Sequence, residues 1–508
     1  MHRPTQPPFD GATVDHLALL AAFAREGPQG PATRQHRLYA CLRWAILGGK
    51  IAEGARLPST RALAEELGMA RNSVLYAYEH LAAEGFLVGT RHGTVVVRLG
   101  LSPLHGRGTG TAHDAQRPLA PPLARRAAPL QGEQNDTNHL LPLWPGTPAL
   151  NEFPLAAWRR CMERAWRQTE VPQLGYAPGQ GHLRLREAIA QYLRVSRGVR
   201  CEAAQVFISD GSQGSLDLCA RMLADGGDTA WIENPGYPGA RAAFQAADLR
   251  LVPIAVDSEG LAPRTVDWHR TPPKLIYITP SHQYPLGAMM SLERRLALLR
   301  QAREAGAWLV EDDYDSEFRS DGIPLSAVQG LDAHAPVVYV GTFSKTLFPA
   351  LRLGFTVVPA TLSTAWLGAI ATGGMRGRLA EQIALADFIE SGQFTLHLRR
   401  MRQLYAQRRE ALQAALKRHL QGVVTVSGGA GGMHLSARLE APVSDVAVSR
   451  AARVQGLGLR PLSPFCLPGT DGSRYNGFVL GYAGMPVERA DGLGRHMARV
   501  IAEVSRSG

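Results

Sequence analysis

The stretch Gly341-Thr-Phe-Ser-Lys345-Thr-Leu-Phe-Pro-Ala-Leu-Arg352-Leu-Gly354 sets one lysine between apolar segments, with a hydroxyl on each side of it. The apolar run Val337 to Gly341 reads as a strand that ends where this stretch begins, so Lys345 falls on a loop at a sheet edge. Only three other lysines occur in the 508 residues, Lys50, Lys274 and Lys417; arginine supplies nearly all the remaining positive charge. Arginine stays protonated and cannot serve as an amine nucleophile. Any Schiff-base chemistry must therefore use one of four side chains or the N-terminus. A lone lysine is usually a solvated surface charge, but this one sits in an apolar context.

Working outward, further strand-like runs are Val206 to Ile208, Leu275 to Thr279 and Trp308 to Glu311, alternating with amphipathic helical stretches. That alternation predicts an α/β domain over residues 139–508, built on a mostly parallel central sheet covered on both faces. Residues 99–138 contain Pro, Gly, Arg and Ala with no apolar period, which suits a flexible linker. Residues 1–33 read as a loosely ordered N-terminal arm.

Residues 34–98 are different in kind. Leu38, Leu42, Ala45 and Ile46 share one face of a helix ending near Gly48-Gly49; a second helix starts at Ser59-Thr60 and runs to Leu67. Gly68 breaks it, a third helix spans Arg71 to Glu84, and Phe86–Val88 with Thr94–Val97 reads as a short hairpin. This is the outline of a winged helix-turn-helix. In that geometry Arg71, Asn72 and Ser73 would meet base edges, while Ser59, Thr60 and Arg61 would hold phosphates. The hairpin tip, Arg91 to Thr94, would reach the adjacent backbone or minor groove. A three-helix unit used for protein contacts has the same outline.

Composition sets outer limits. A chain of this length exceeds one hydrophobic core. The net charge of +11 permits a nucleic-acid partner, yet residues 34–98 hold only nine Lys and Arg against five Asp and Glu, so charge does not locate a DNA-binding face. The apolar run Leu17–Ala24 is too short to span a bilayer and is flanked by Asp15 and Glu26, so neither a membrane anchor nor a signal peptide is expected. Cys41, Cys161, Cys201, Cys219 and Cys466 are odd in number and scattered. That argues against a disulfide framework or a metal site and favours a reduced, cytoplasmic setting.

Around Lys345 a second constellation gathers. Asp312, in Trp308-Leu-Val-Glu-Asp-Asp-Tyr314, is an acid at the end of a buried strand, costly unless paired, although an acidic run is equally often a solvated loop. Ser209-Asp-Gly-Ser-Gln-Gly-Ser215 joins a strand to a helix, where backbone N–H groups and small residues suit an anion. Tyr237, in Glu233-Asn-Pro-Gly-Tyr-Pro-Gly239, offers a ring platform. An amine, an acid for a pyridine nitrogen, a phosphate cup and a stacking ring are what pyridoxal phosphate needs from a protein. Thr342 and Arg352 are suitably typed for the phosphate, and Tyr314 for the ring's phenolic oxygen.

Leu57-Pro-Ser-Thr-Arg-Ala-Leu-Ala-Glu-Glu-Leu-Gly68 with Ala77-Tyr-Glu-His-Leu-Ala-Ala-Glu-Gly85 resembles the GntR-type winged helix. Two features depart from it: Ala70 stands where a capping serine is usual, and the wing is short. From Tyr176 to Gly354 the order of motifs resembles fold-type I aminotransferases. Ile278-Thr-Pro-Ser-His-Gln-Tyr-Pro-Leu-Gly287, Glu311-Asp-Asp-Tyr-Asp-Ser-Glu-Phe318 and the Lys345 loop resemble the MocR/GabR regulators more narrowly. The resemblance implies that Lys345 forms the Schiff base with pyridoxal phosphate, Asp312 faces its ring nitrogen, Tyr314 contacts its phenolic oxygen and Tyr237 stacks on it. It implies Ser212, Gln213, Thr342 and Arg352 as phosphate ligands, His282 and Gln283 near the cofactor, and Tyr176 reaching the partner's site in a head-to-tail homodimer.

The implied function is a regulator that binds double-stranded operator DNA and senses pyridoxal phosphate or an amino compound reacting with it. The competing expectation is a working aminotransferase with an accessory DNA-binding domain. Transaminases of this fold generally carry an arginine for the substrate carboxylate where Phe478-Val-Leu-Gly-Tyr-Ala483 places Val479, and many carry Asn where Tyr284 stands. Arg474 and Arg460 are the candidates to replace the missing arginine. Its absence favours the cofactor itself as the signal.

Overall fold

The computed structural model describes residues 15–27, 33–98, 124, 126–127, 140–319, 325–373, 377–428 and 431–507. The linker expected at 99–138 lies almost wholly outside them. The chain divides into two compact units, residues 1–121 and 122–508.

In the first unit, α1 (His16–Glu26), α2 (Arg34–Leu47), α3 (Thr60–Glu66) and α4 (Arg71–Ala83) precede an antiparallel ribbon of β1 (Leu87–Thr90) and β2 (Gly93–Val96). Leu38, Leu42, Leu63, Val74, Leu81 and Val96 fill its core, which supports the winged-helix outline. The Ser59 side chain caps α3 by accepting from the Ala62 N–H, whereas Ala70 gives α4 no side-chain cap. The arm differs from its reading as loosely ordered. Asp15 caps α1, Phe23 packs edge-on against Trp44 with ring centroids 5.7 Å apart, and Glu26 pairs with Lys50 at 2.9 Å. Locally this segment shows only a short apolar run; the partner that makes it a docked helix comes from α2.

The second unit is built on an eight-stranded sheet. Its strands are β3 (Val206–Ser209), β4 (Thr229–Asn234), β5 (Arg250–Asp257), β6 (Gly260–Leu261), β7 (Leu275–Ile278), β8 (Trp308–Asp313), β9 (Val337–Thr342) and β10 (Gly354–Val357). They lie in the order β3-β10-β9-β8-β7-β4-β5-β6. The run from β9 to β5 is parallel; β10 is antiparallel to both its neighbours. Side chains alternate between faces. Ile276, Ile278 and Leu309 enter one apolar layer, while Leu275, Tyr277 and Val310 enter the other. A smaller antiparallel sheet follows, of β11 (Val424–Ser427), β12 (His434–Leu439), β13 (Arg460–Pro461) and β14 (Gly477–Gly481), in the order β11-β12-β14-β13.

The carboxyl end of β8 holds three consecutive buried acids, Glu311, Asp312 and Asp313, compensated by different elements. Glu311 accepts from the Val328 and Gln329 backbone N–H groups at 2.8 and 2.9 Å. Asp313 accepts from Arg197 Nε at 2.8 Å and from the Tyr339 hydroxyl at 2.6 Å. Arg197 ends the helix Leu183–Arg197 and also donates to Ser281 Oγ at 2.6 Å, so one buried guanidinium ties that helix to two strand ends. Removing one member of a buried ion pair leaves the other uncompensated. Arg197→Ala should therefore cost about 3–5 kcal/mol of unfolding free energy, read by urea denaturation; a loss within about 0.5 kcal/mol, the scale of ordinary surface changes, would contradict this.

Candidate functional site

In the winged-helix unit the candidate DNA contacts fall at element ends. Ser59, Thr60 and Arg61 sit at the start of α3, and Arg71, Asn72 and Ser73 form the first turn of α4. Arg91 and Thr94 belong to the wing. Arg61, Arg71, Asn72 and Arg91 are exposed, and no ion pair occupies any of these arginines among the described residues. Arg56 is a further basic residue that the sequence reading passed over. Its guanidinium lies against the wing glycine, where a Cβ on Gly93 would stand 2.9 Å from Arg56 Nε.

In the larger unit, a cavity of about 450 Å³ opens at the carboxyl edge of the sheet, where α/β folds place their ligands. Lys345, Asp312, Tyr314, Tyr237, Ser212, Gln213, Thr342 and Arg352 all line it. Asp312 shares the face of Val310 and Tyr277, and its Oδ2 accepts from the Tyr277 hydroxyl at 2.8 Å. Its Oδ1 is buried without a hydrogen-bond partner. Burial pushes this carboxyl up to about 7, with the Tyr277 hydrogen bond opposing the shift. Lys345 Nζ donates to the Gly146 carbonyl at 2.8 Å, and burial lowers its pKa against the pull of Asp315 and Asp312. Gly146 is required here: its φ is +85°, and a Cβ would stand 3.0 Å from Lys345 Nζ.

The opposite end is built for an anion. The helix Gly211–Leu223 begins inside the segment that reads as a loop in the sequence, so Ser212 and Gln213 lie in its first turn, where N–H groups are unpaired within the helix. Gly354 lets the backbones close up, since a Cβ there would meet Gly211 Cα at 2.8 Å. Arg352, in the left-handed region at φ +51°, brings its guanidinium beside Gly211.

Three expected residues do not line the cavity. His282 is buried behind the cavity wall, its Nδ1 3.0 Å from Asp315 Oδ2, and the Tyr314 hydroxyl donates to the His282 carbonyl at 2.9 Å. Gln283 is likewise buried and donates to Glu233 at 3.1 Å. His282, Asp315 and His434 form a buried cluster; the His282–Asp315 hydrogen bond and a 3.0 Å contact from His434 Nε2 to the Pro285 carbonyl account for it. Tyr176 is 95% exposed, outside this chain's own cavity.

Comparison with known proteins agrees with both halves. Residues 34–97 match the family described as bacterial regulatory proteins, gntR family, and residues 148–472 match aminotransferase class I and II. A probable rhizopine catabolism regulatory protein, MocR of Rhizobium meliloti, is 42% identical over 89% of this chain and 90% of its own. The chain belongs to the MocR family of regulators. The pyridoxine biosynthesis regulator PdxR of Corynebacterium glutamicum is 31% identical over 90% of this MocR-family chain and 93% of its own. LysN, the α-aminoadipate aminotransferase of Thermus thermophilus crystallised with N-(5'-phosphopyridoxyl)-L-leucine, superposes with a TM-score of 0.68. It is 26% identical, over 76% of this chain and 98% of that one.

The residues of this MocR-family cavity fit pyridoxal phosphate. The unpartnered Asp312 oxygen suits a protonated ring nitrogen, the low-pKa amine suits an aldehyde, and the helix start with Arg352 suits a phosphate. Tyr277 escaped because Leu275–Thr279 reads simply as a strand, and Gly146 because no motif in the sequence covers it. Arg460 lines the cavity, whereas Arg474 is exposed on a turn.

A pH dependence follows. Asp312 is protonated up to about 7 in the folded, cofactor-free chain, but only in the ordinary aspartate range when unfolded. The native state therefore holds one more proton between those values, and stability falls as pH rises from about 4 to about 7. Asp312→Asn should remove roughly 1.4 kcal/mol per pH unit from that slope, measured by denaturant titrations at intervals across the range. An unchanged slope would show that Asp312 is ionised in the cofactor-free state.

Proposed function

We propose that this protein is a transcription regulator whose winged helix binds double-stranded operator DNA and whose aminotransferase-like domain holds pyridoxal phosphate on Lys345. In this reading it senses the cofactor, or an amino compound that reacts with it. The observation that carries the reading is the buried, half-satisfied Asp312 facing the same cavity as the half-buried Lys345. Asp313 beside it also has an unpartnered Oδ1, but its charge is met inside the fold by Arg197, whereas Asp312 faces the cavity with no salt-bridge partner among the described residues. One unpartnered oxygen is what a pyridinium N–H requires.

Pyridoxal phosphate supplies an aldehyde and an electron-withdrawing ring when bound; the chain supplies the rest. Lys345 reaches its uncharged, nucleophilic form readily because burial disfavours its ammonium, and the Gly146 carbonyl orients its nitrogen. Asp312, held by Tyr277, would keep the ring nitrogen protonated. Arg352, Thr342, Ser212 and Gln213 would hold the phosphate. Tyr237 would cover the ring, and Tyr314, anchored on His282, would meet the phenolic oxygen, while Asp315 fixes the His282 ring. A head-to-tail homodimer is supported by the exposure of Val171 (80%), Leu174 (67%) and Tyr176, an apolar surface that a second copy would cover. A ligand in this cavity alters DNA affinity only by binding two arrangements of the protein unequally.

A working aminotransferase is the second reading, favoured by the intact lysine and acid and opposed by Val479. Steady exchange of amino and keto groups at ordinary enzymatic rates would establish it.

The deciding experiment is the visible spectrum of wild type and Lys345→Ala with added pyridoxal phosphate, alongside DNA affinity with and without the cofactor. A band in wild type that the variant lacks, with a shift in DNA affinity, is the expected result; no band in wild type would end the reading. For the DNA face, Arg61→Ala should weaken binding to all sequences alike and lower the salt slope by about 1, as for a phosphate contact. Arg71→Ala should cost about 1–3 kcal/mol on operator DNA and far less on unrelated DNA. Competition binding at several salt concentrations separates the two.

A further inference from the structure

We propose that Arg460 is the receptor for the acid group of an amino-acid effector, taking over from the position that Val479 has lost. The proposal rests on the cofactor reading above and goes beyond it by naming the ligand class, an amine that also bears a carboxylate.

The register carries the argument. Strands β13 and β14 are antiparallel, and Arg460 is the direct partner of Val479. Directly opposed residues of an antiparallel pair project to the same face, with their Cβ atoms about 5 Å apart. A guanidinium on the neighbouring strand therefore serves the region that a side chain at 479 would have served. Val479 is itself sealed, fully buried against Leu462 and Phe465 with Tyr284 packed on them. It cannot reach a ligand.

Arg460 can. It lines the cavity that contains Lys345 and Asp312, and lies close enough to Lys345 for its charge to act on that amine. Its guanidinium carbon stands 4.9 Å from the Phe465 ring centroid and 5.6 Å from that of Trp144, and Nη1 is 3.5 Å from the Tyr284 hydroxyl. Aromatic contacts on the guanidinium orient its plane while leaving N–H edges available. No carboxylate of the described residues lies within salt-bridge distance of it; Arg294 and Arg303 on the surface, by contrast, are each paired. A half-buried cation without an acidic partner, held flat beside a reactive amine, is a receptor for a carboxylate that arrives with the ligand. The Tyr284 hydroxyl, where many transaminases carry Asn, adds a second donor on the same side. Arg352 stands with the helix start at the phosphate end, so the two arginines serve different anions.

The test uses the full-length, cofactor-loaded protein. The twenty coded amino acids and β-alanine are titrated against the visible band, each α-amino acid that binds being compared with its decarboxylated amine, such as L-alanine with ethylamine or L-phenylalanine with 2-phenylethylamine. Wild type should respond to at least one acid-bearing amine at tenfold or more lower concentration than to its amine counterpart. Arg460→Met should abolish that preference by weakening only the acid-bearing ligand, and Arg460→Lys should restore part of it. A preference that survives in Arg460→Met overturns the proposal, as does a wild type that answers to no acid-bearing amine. Absence of the visible band in wild type is a separate result, which overturns the cofactor reading beneath it.

Discussion

A carboxylate buried without compensation is among the most costly groups a fold can contain, and this one places three in a row at the end of a central strand. The second domain is organised around meeting that cost. Glu311 draws in the backbone at 328–329, and Asp313 draws in Arg197 and, through it, a helix end and the Ser281 loop. Asp312 gets half of what it needs from Tyr277. Glu311 on its backbone donors and Asp313 on Arg197 hold β8 in place, so that Asp312, with no cation of its own, points into the cavity with little freedom to relax.

The cavity is consequently divided by charge. One end, made of a helix start, a close pair of glycines and Arg352, suits a dianion. The middle sets a lysine whose pKa is lowered against an aspartate whose pKa is raised, each shifted chiefly by burial. The far side is closed by the small antiparallel sheet, whose β13 edge contributes a guanidinium held between rings. No single element makes the site; several strand ends and a helix start converge on it.

Much of this was legible in the sequence because it rests on local rules. Pro58-Ser59-Thr60 starts a helix, Gly68 stops it, and Val337–Gly341 ends where the lysine loop begins, all from short-range chemistry. What escaped depends on pairing between distant segments. Helix α1 looked like an arm because its partner, Trp44, belongs to another helix. Tyr277 looked like one more apolar strand residue, and its hydroxyl gains meaning only beside Asp312. His282 looked like a cavity residue by motif, yet its hydrogen bonds turn it toward Asp315. Arg460 and Arg474 were equivalent candidates until strand register separated them.

The scarcity of lysine has a consequence for the reactions this protein undergoes with carbonyl compounds at large. Lys50 is paired with Glu26 and lies 3.8 Å over Trp44, while Lys274 and Lys417 are exposed to water. Burial destabilises the Lys345 ammonium. Stray aldehydes and acylating agents near neutral pH thus meet few competing amines on this chain, chiefly the N-terminal amine and the exposed Lys274 and Lys417. That makes the chain a low-background substrate for covalent labelling, since only a handful of nitrogens divide the signal.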